Sequence, residues 1–165
     1  MSAAYRVRQF IGALRASVEP RELDILDEHL RPALKALFLA MDIQDQRHTL
    51  DVFRYLVNRG CRDRTLLQAA LLHDVGKANA GLGTWYRVAI VLFRAFCPAL
   101  LAKLSSAESR GWRRPFWVHK HHGEAGARLV AQAGGDYRLV EMVRLHQSPA
   151  DDPLLQALCE ADGAN

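Results

Sequence analysis

Apolar residues recur along the chain at the three- and four-residue spacing of helices, and no run of alternating apolar and polar residues predicts a strand. A first helical face is predicted at residues 7–14, and a second follows Pro20, which stands where a helix can begin. Pro32 is placed to start the next helix, over residues 33–40. The pattern therefore predicts an all-α protein.

Short polar residues and a glycine mark the expected ends of the central helices. Asp45 is the predicted N-cap of a helix that carries His48 and ends at the Asn-Arg-Gly of residues 58–60. Asp63 is the predicted N-cap of the following helix, whose apolar run leads directly into His73.

The second half of the chain is predicted to hold a long apolar helix, a basic and aromatic loop, and three shorter helices. Their expected bounds are 85–104 for the long helix, 110–117 for the loop, and 123–133, 137–146 and 153–162 for the shorter helices. Arg87 and Arg94 are seven residues apart and share a helical face, which favours an amphipathic buried helix over a membrane span.

Size and composition favour one soluble domain. The 165 residues suffice to bury a core, and the net charge of +4 suits anionic ligands without selecting one. The chain has three cysteines, Cys61, Cys97 and Cys159, and they are widely spaced. Because the number is odd and the spacing wide, we expect no disulfide framework, and a reducing cytoplasm fits best. The N-terminus lacks the long apolar core of a signal peptide. We therefore expect a cytoplasmic protein.

Histidines and aspartates supply the candidate chemistry. A histidine followed directly by an aspartate, at the end of an apolar helix, brings an imidazole nitrogen and a carboxylate oxygen near one cation. The candidate metal ligands are His48, His73, Asp74, His122, His146 and Asp162. This donor set suits Fe, Mn, Co, Ni or Zn better than Mg or Ca. It is large enough for two ions if one carboxylate bridges them.

The order of these residues resembles the HD-domain superfamily of metal-dependent phosphohydrolases. The matching motifs are His48 in QRHTL, His73-Asp74 in HDVGK, and Asp162 in EAD. His122 in HHGEAGA and His146 in VRLHQSP resemble the two-metal branch, which includes the bacterial dinucleoside tetraphosphate hydrolases and the HD-GYP cyclic-di-GMP phosphodiesterases. The chain lacks the GYP signature and has His-Gln where those phosphodiesterases have paired histidines, which leaves the tetraphosphatase group closer.

The resemblance implies roles for individual residues. His48, His73, Asp74 and Asp162 would hold a first metal, and Asp74 would bridge to a second metal held by His122 and His146. Asp74 and Lys77 would be the catalytic residues, Lys77 by approaching a substrate phosphate. Arg47 is a further candidate for the phosphate. Whether His119 or His121 takes the place of His122 is open at this point.

The resemblance also implies the fold and the function. We expect a single all-α HD-type helical bundle over residues 1–165, with the metal-site core at about 45–162. We expect this domain to act as a two-metal phosphohydrolase on a nucleotide or other small phosphate ester. Nucleic acid is not an expected partner, and the sequence leaves the oligomeric state open. The alternatives are a non-catalytic nucleotide-binding or signalling module of the same fold, and a di-iron oxygenase.

Residues 81–120 do not match what is expected of the tetraphosphatase group, and three interpretations of this insertion remain. Its arginines, among them Arg113 and Arg114, and its aromatic residues could bind substrate phosphates and stack a base. They could equally form a basic, aromatic rim that contacts an acidic membrane surface. The third interpretation is that the aromatic residues cover the core and the arginines are solvated.

Overall fold

The computed structural model of the protein describes residues 17–78, 83–106, 111–148 and 151–165, with the side chain of residue 84 excepted. The predicted helix at residues 7–14 lies outside these ranges. Within them the chain forms nine α-helices and three short 3-10 helices and has no strand, so the predicted all-α fold is confirmed.

The α-helices are numbered here in chain order. They are α1 (Asp24–His29), α2 (Pro32–Leu39), α3 (Ile43–Asn58), α4 (Arg64–Leu72), α5 (Thr84–Phe96), α6 (Pro98–Leu104), α7 (Arg114–Gln132), α8 (Tyr137–Leu145) and α9 (Pro153–Ala164). The 3-10 helices are Pro20–Leu23, Val75–Lys77 and Gly111–Arg113.

Helix α4 lies at the centre of the main core. Every residue from 66 to 72 is buried, and α4 packs against α3, α8 and α9. Fully buried apolar side chains from those three helices, such as Leu50, Val143 and Leu158, complete this core. Helix α7 packs on both α8 and the 3-10 helix at Val75–Lys77. The end of α4 is therefore held between neighbouring helices on several sides.

The two predicted N-caps have different outcomes. The Asp63 carboxylate accepts a hydrogen bond from the Leu66 amide at 2.8 Å, which confirms the cap of α4. The prediction for Asp45 was wrong, because the N-cap of α3 is Asp42 and Asp45 lies in the first turn. The Asp45 carboxylate instead forms an ion pair with Arg87 of α5, at 2.7 Å.

The predicted helix at 85–104 is two helices, because Pro98 cannot donate the hydrogen bond that a continuous helix needs. Cys97, the residue before the proline, takes φ −140° and ψ 58°, well outside helical values. The prediction of a buried helix was also wrong, because Ile90 is the one buried residue of α5 among its described side chains. Of the helices in the described ranges, none combines the length and the apolar character that crossing a bilayer requires.

The predicted loop at 110–117 is helical over much of its length. A 3-10 turn at Gly111–Arg113 leads into α7, which begins at Arg114 and not at residue 123. Pro115 in the first turn explains this early start, because its fixed φ suits a position where no amide donor is needed. His122 therefore lies in the middle of a 19-residue helix and does not open one.

Candidate metal centre

Five helices bring the six candidate ligands to one place. His48 is on α3, His122 is on α7, and Asp162 is on α9. His73 is the C-cap of α4 and Asp74 follows it, whereas His146 is the C-cap of α8. The ligands form two compact groups, and the donor atoms of each group lie within 4.8 Å of one another. The first group is His48, His73 and Asp74, and the second is Asp74, His122 and His146.

Asp74 belongs to both groups through its two carboxylate oxygens. Its Oδ1 lies 3.1 Å from Nε2 of His122 and 4.0 Å from Nε2 of His146. Its Oδ2 lies 3.9 Å from Nε2 of His48 and 3.8 Å from Nε2 of His73. One carboxylate therefore faces two separate pairs of imidazoles, one with each oxygen.

Asp162 completes the first group. Its Oδ1 lies 2.8 Å from Nε2 of His48 and 3.6 Å from Nε2 of His73. The side chains of His48 and Asp162 are 25% and 28% exposed, whereas His122 and His146 are at most 1% exposed. The centre is therefore open to solvent on the side of His48 and Asp162 and closed on the other side.

Three of the histidines are oriented by backbone carbonyls of their own helices. Nδ1 of His73 donates to the carbonyl of Ala70 at 3.0 Å, and His146 does the same to Val143 at 2.7 Å. His122 repeats this geometry with the carbonyl of His119 at 2.8 Å. Because a carbonyl oxygen only accepts, each Nδ1 carries hydrogen, and in the neutral ring Nε2 keeps a lone pair for a metal.

Two observations show that this donor set fits a cation. Nε2 of His73 is buried and has no hydrogen-bond partner among the described residues. Nε2 of His122 and Nε2 of His146 are 3.1 Å apart, although both neutral rings would present lone pairs to each other. Buried polar atoms are normally satisfied, and cations bound at the two groups would satisfy all three nitrogens.

The ionisation states of the side chains in the centre also favour a bound cation. Burial disfavours the Asp74 carboxylate, but Lys77 and His73 outweigh it and hold the pKa of Asp74 well below its usual value. Burial likewise opposes ionisation of Asp162, but the hydrogen bond with His48 and the nearby imidazole of His73 keep its pKa below the usual range. Burial, followed by the charge of His73, lowers the pKa of His146 to about 3, so its ring is neutral at pH 7.

Lys77 is the cation nearest to Asp74. Its Nζ lies 2.6 Å from Oδ2 of Asp74, and its side chain is 17% exposed. Burial disfavours the ammonium group, but the charges of Asp74 and Asp45 outweigh burial and raise the pKa of Lys77. Lys77 is therefore a charged group at the centre, on the same carboxylate oxygen that faces His48 and His73.

Of the three neighbouring histidines on α7, His122 is the one that faces Asp74. His121 stacks on Trp117 with ring centroids 4.8 Å apart. His119 lies one turn before His122, and their ring centroids are 6.2 Å apart. Burial, followed by the charges of Lys77 and His122, lowers the pKa of His119 to about 3.

The predicted substrate-binding arginines lie in other contacts. Arg47 forms ion pairs with Glu22 at 2.6 Å and Asp51 at 2.7 Å. Arg113 donates to the carbonyl of Lys103 at 2.8 Å and so ties the turn before α7 to the end of α6. Arg114 is exposed at the start of α7. Of the predicted phosphate contacts, the structure brings Lys77 to the ligand cluster.

Gly76 is a site residue whose role sequence reasoning missed. It is the point where the chain after Asp74 touches α7. A Cβ atom added to Gly76 would overlap the carbonyl oxygen of His122 and lie 2.7 Å from the amide nitrogen of Gly126. The glycine in HDVGK therefore determines how closely Asp74 approaches His122. The GEAGA run after His122 is the sequence feature that could have indicated the other half of this contact, because it contains Gly126.

The family assignment agrees with this geometry. A sequence profile of the HD domain matches residues 28–163, which includes all six candidate ligands. The chain therefore belongs to the HD-domain family, whose members are typically metal-dependent phosphohydrolases and bind divalent metals. No curated protein and no solved structure matches the chain.

Proposed function

We propose that this protein is a metal-dependent phosphohydrolase that binds two divalent transition-metal ions and acts on a nucleotide or another small phosphate ester. The observation that carries the proposal is the position of Asp74. Its two oxygens face two different imidazole pairs, 3.1 to 4.0 Å from their Nε2 atoms. A carboxylate placed between two donor groups is the arrangement a bridged two-metal site requires.

The ligands divide between the two ions according to this geometry. His48, His73 and Asp162 would hold one ion with Oδ2 of Asp74, and His122 and His146 would hold the other with Oδ1. Such ions lower the pKa of bound water and neutralise charge on a phosphoryl group. Nitrogen and carboxylate donors favour Fe, Mn, Co, Ni or Zn.

The protein's own groups supply orientation and access. The carbonyls behind His73, His122 and His146 hold each ring with Nε2 toward the centre. Lys77 supplies a positive charge that can exchange its contact with Asp74 for one with a substrate phosphate. Substrate enters from the side of His48 and Asp162, because this side is the solvent-exposed one.

The identity of the substrate is the finer part of the proposal. The matched profile is that of the HD domain as a whole, so a likeness to the dinucleoside tetraphosphate hydrolases depends on the order of the ligands alone. Lys77 beside the metal ligands supports a phosphorylated substrate in general, and the nucleotide is proposed as one member of that class.

The proposal is tested by replacing Asp74 with alanine. We expect Asp74→Ala to lose both bound metals and all hydrolysis, because one substitution removes a ligand from each group. Metal content is measured by elemental analysis, and hydrolysis with nucleoside mono- and triphosphates, dinucleoside polyphosphates and phosphodiesters in the presence of Mn, Fe, Co or Ni.

Asp51→Ala is the matched control, because it removes a partly exposed carboxylate on α3 that pairs with Arg47. This variant should keep the metal content and activity of the wild type. Full metal content and activity in Asp74→Ala would contradict the proposal, as would a wild-type protein that binds no transition metal.

A further inference from the structure

The hairpin of α5 and α6 exposes an apolar tip. Phe96 is 72% exposed and Leu100 is 42% exposed, and the three residues between them are exposed as well. Ala95 is exposed too, and Lys103, also exposed, lies one turn beyond Leu100 on α6. Six consecutive exposed apolar residues are unusual on a protein surface that faces only water.

The apolar surface continues along α5. Trp85 is 84% exposed and Leu92 is 47% exposed, and with Phe96 they are spaced by seven and four residues, so they share one helical face. The opposite face of α5 is already occupied, since Ile90 packs against Phe116 in a small separate core. Helix α5 therefore has an inner apolar face that holds it to α7 and an outer one that has no cover from the described residues.

Positive charge is concentrated in the same segment. Residues 83–120 contain seven of the 22 basic residues of the chain and one of its 18 acidic residues. The rest of the chain has 15 basic and 17 acidic residues and is therefore slightly acidic. The net positive charge of the protein thus comes entirely from the segment that carries the exposed apolar surface.

This charge identifies the kind of partner. A second copy that packed its own hairpin against this one would bring two basic surfaces together at a cost. The N-terminal residues 1–16 are unsuited for the same reason, because they hold three arginines and no acidic residue. An anionic lipid surface offers negative headgroups to the cations and a hydrocarbon boundary to the aromatic residues.

We propose that the α5–α6 hairpin docks the protein peripherally on anionic lipid bilayers. Phe96 and Leu100 at the tip, with Trp85 on the outer face, enter the headgroup boundary, and the exposed Lys103 and Arg114 contact anionic headgroups. Trp112, which is 63% exposed on the turn before α7, is a further exposed aromatic residue of the same segment. At 13 and 7 residues, the two helices are suited to lie at the interface and are too short to cross the bilayer.

The test is flotation of the purified full-length protein with vesicles of phosphatidylglycerol and phosphatidylcholine, compared with phosphatidylcholine alone. We expect binding to the anionic vesicles, weakened by high salt, and no binding to the neutral ones. All three tryptophans of the chain lie in residues 83–120, so their fluorescence should shift to the blue on binding. Phe96→Asp and the double variant Lys103→Glu/Arg114→Glu should each weaken binding by roughly tenfold or more.

Matched variants elsewhere on the surface serve as controls. Tyr137→Asp changes an aromatic residue that is 80% exposed on α8, and Arg21→Glu/Arg128→Glu reverses two exposed charges outside the hairpin. Both should keep wild-type affinity for the vesicles, and circular dichroism should show the same helix content in every variant. Equal binding of Phe96→Asp and the wild type would overturn the proposal, as would no binding to anionic vesicles. A stable wild-type dimer that Phe96→Asp converts to monomers would assign the surface to a second copy instead.

Discussion

Asp74 is the residue on which the candidate centre depends, because it combines burial with ionisation. Its side chain is 2% exposed, yet its pKa lies well below the usual value, since Lys77 and His73 outweigh the effect of burial. A buried carboxylate is costly unless it is paired, so the centre holds negative charge that only nearby cations keep stable. This charge is available to metal ions as well as to Lys77.

The second imidazole pair, His122 and His146, allows us to test whether the two proposed metals bind independently. His146→Ala removes a ligand from the buried group only, and we expect bound metal to fall from about two ions to about one per chain. His121→Ala is the control, because His121 stacks on Trp117 and does not face Asp74. Elemental analysis after removal of free metal measures both variants. Loss of both ions in His146→Ala would mean that the two groups do not bind metal independently.

Lys77 is expected to stabilise the metal-free protein. Lys77→Met leaves the buried Asp74 carboxylate without its closest cation, which should lower the free energy of unfolding by roughly 3 kcal/mol. Lys35→Met removes a more exposed lysine that also lies 2.6 Å from an aspartate, and should cost less than about 1 kcal/mol.

The measurement for Lys77→Met is urea denaturation with and without Mn. Because a metal supplies the missing positive charge, Mn should raise the stability of Lys77→Met more than that of the wild type. An identical gain in both proteins would indicate that Lys77 and the metal do not share the charge of Asp74.

At the scale of the elements, glycines determine how closely the 3-10 helix after Asp74 approaches α7. The two backbones meet at Gly76, His122 and Gly126. A second close approach joins α7 to α8, because a Cβ atom at Gly123 would lie 2.7 Å from the carbonyl oxygen of Arg144. The ligands Asp74, His122 and His146 therefore depend on contacts that admit no side chain between the helices.

Gly76→Ala should separate these elements. The added methyl group overlaps backbone atoms of α7, which cannot rotate away, so we expect a loss of roughly 3 kcal/mol in the free energy of unfolding. Metal content should fall with it. Gly163→Ala is the control, because a Cβ atom there meets nothing within 4 Å. Urea denaturation of Gly76→Ala that matches the wild type would show that the contact is looser than described.

At the scale of the whole molecule, the candidate centre joins the first and last parts of the described fold. His48 and Asp162 are 114 positions apart in the chain and 2.8 Å apart in space. The centre therefore ties α9 to the middle of the bundle.

Removal of metal should consequently loosen α9 before the centre of the bundle. We expect a chelator to increase amide hydrogen exchange in α9 and to change exchange in the buried helix α4 much less. Asp162→Ala should show the faster α9 exchange even with metal present. Hydrogen exchange followed by mass spectrometry provides the readout, and an unchanged α9 after metal removal would contradict the expectation.

Features that arise from neighbouring residues could be predicted from the sequence alone. Apolar spacing specified helices almost everywhere, and Asp63 was recognised as an N-cap because its bond to Leu66 spans three residues. The helix break at Pro98 and the helix start at Pro115 also follow from local effects of proline, which the predicted bounds did not take into account. The sequence also identified the candidate ligands by residue type and order, and it suggested the family that the profile match then established.

How these residues meet in space depends on the packing of the helices. It selected His122 over His119 and His121, divided the two oxygens of Asp74 between imidazole pairs, and assigned Arg47 to ion pairs away from the cluster. It also left the outer face of α5 exposed where a buried helix was expected. The physical reason is that hydrogen bonds within a helix join residues at most a few positions apart, whereas the centre joins residues whose separation is set by the packing of five helices.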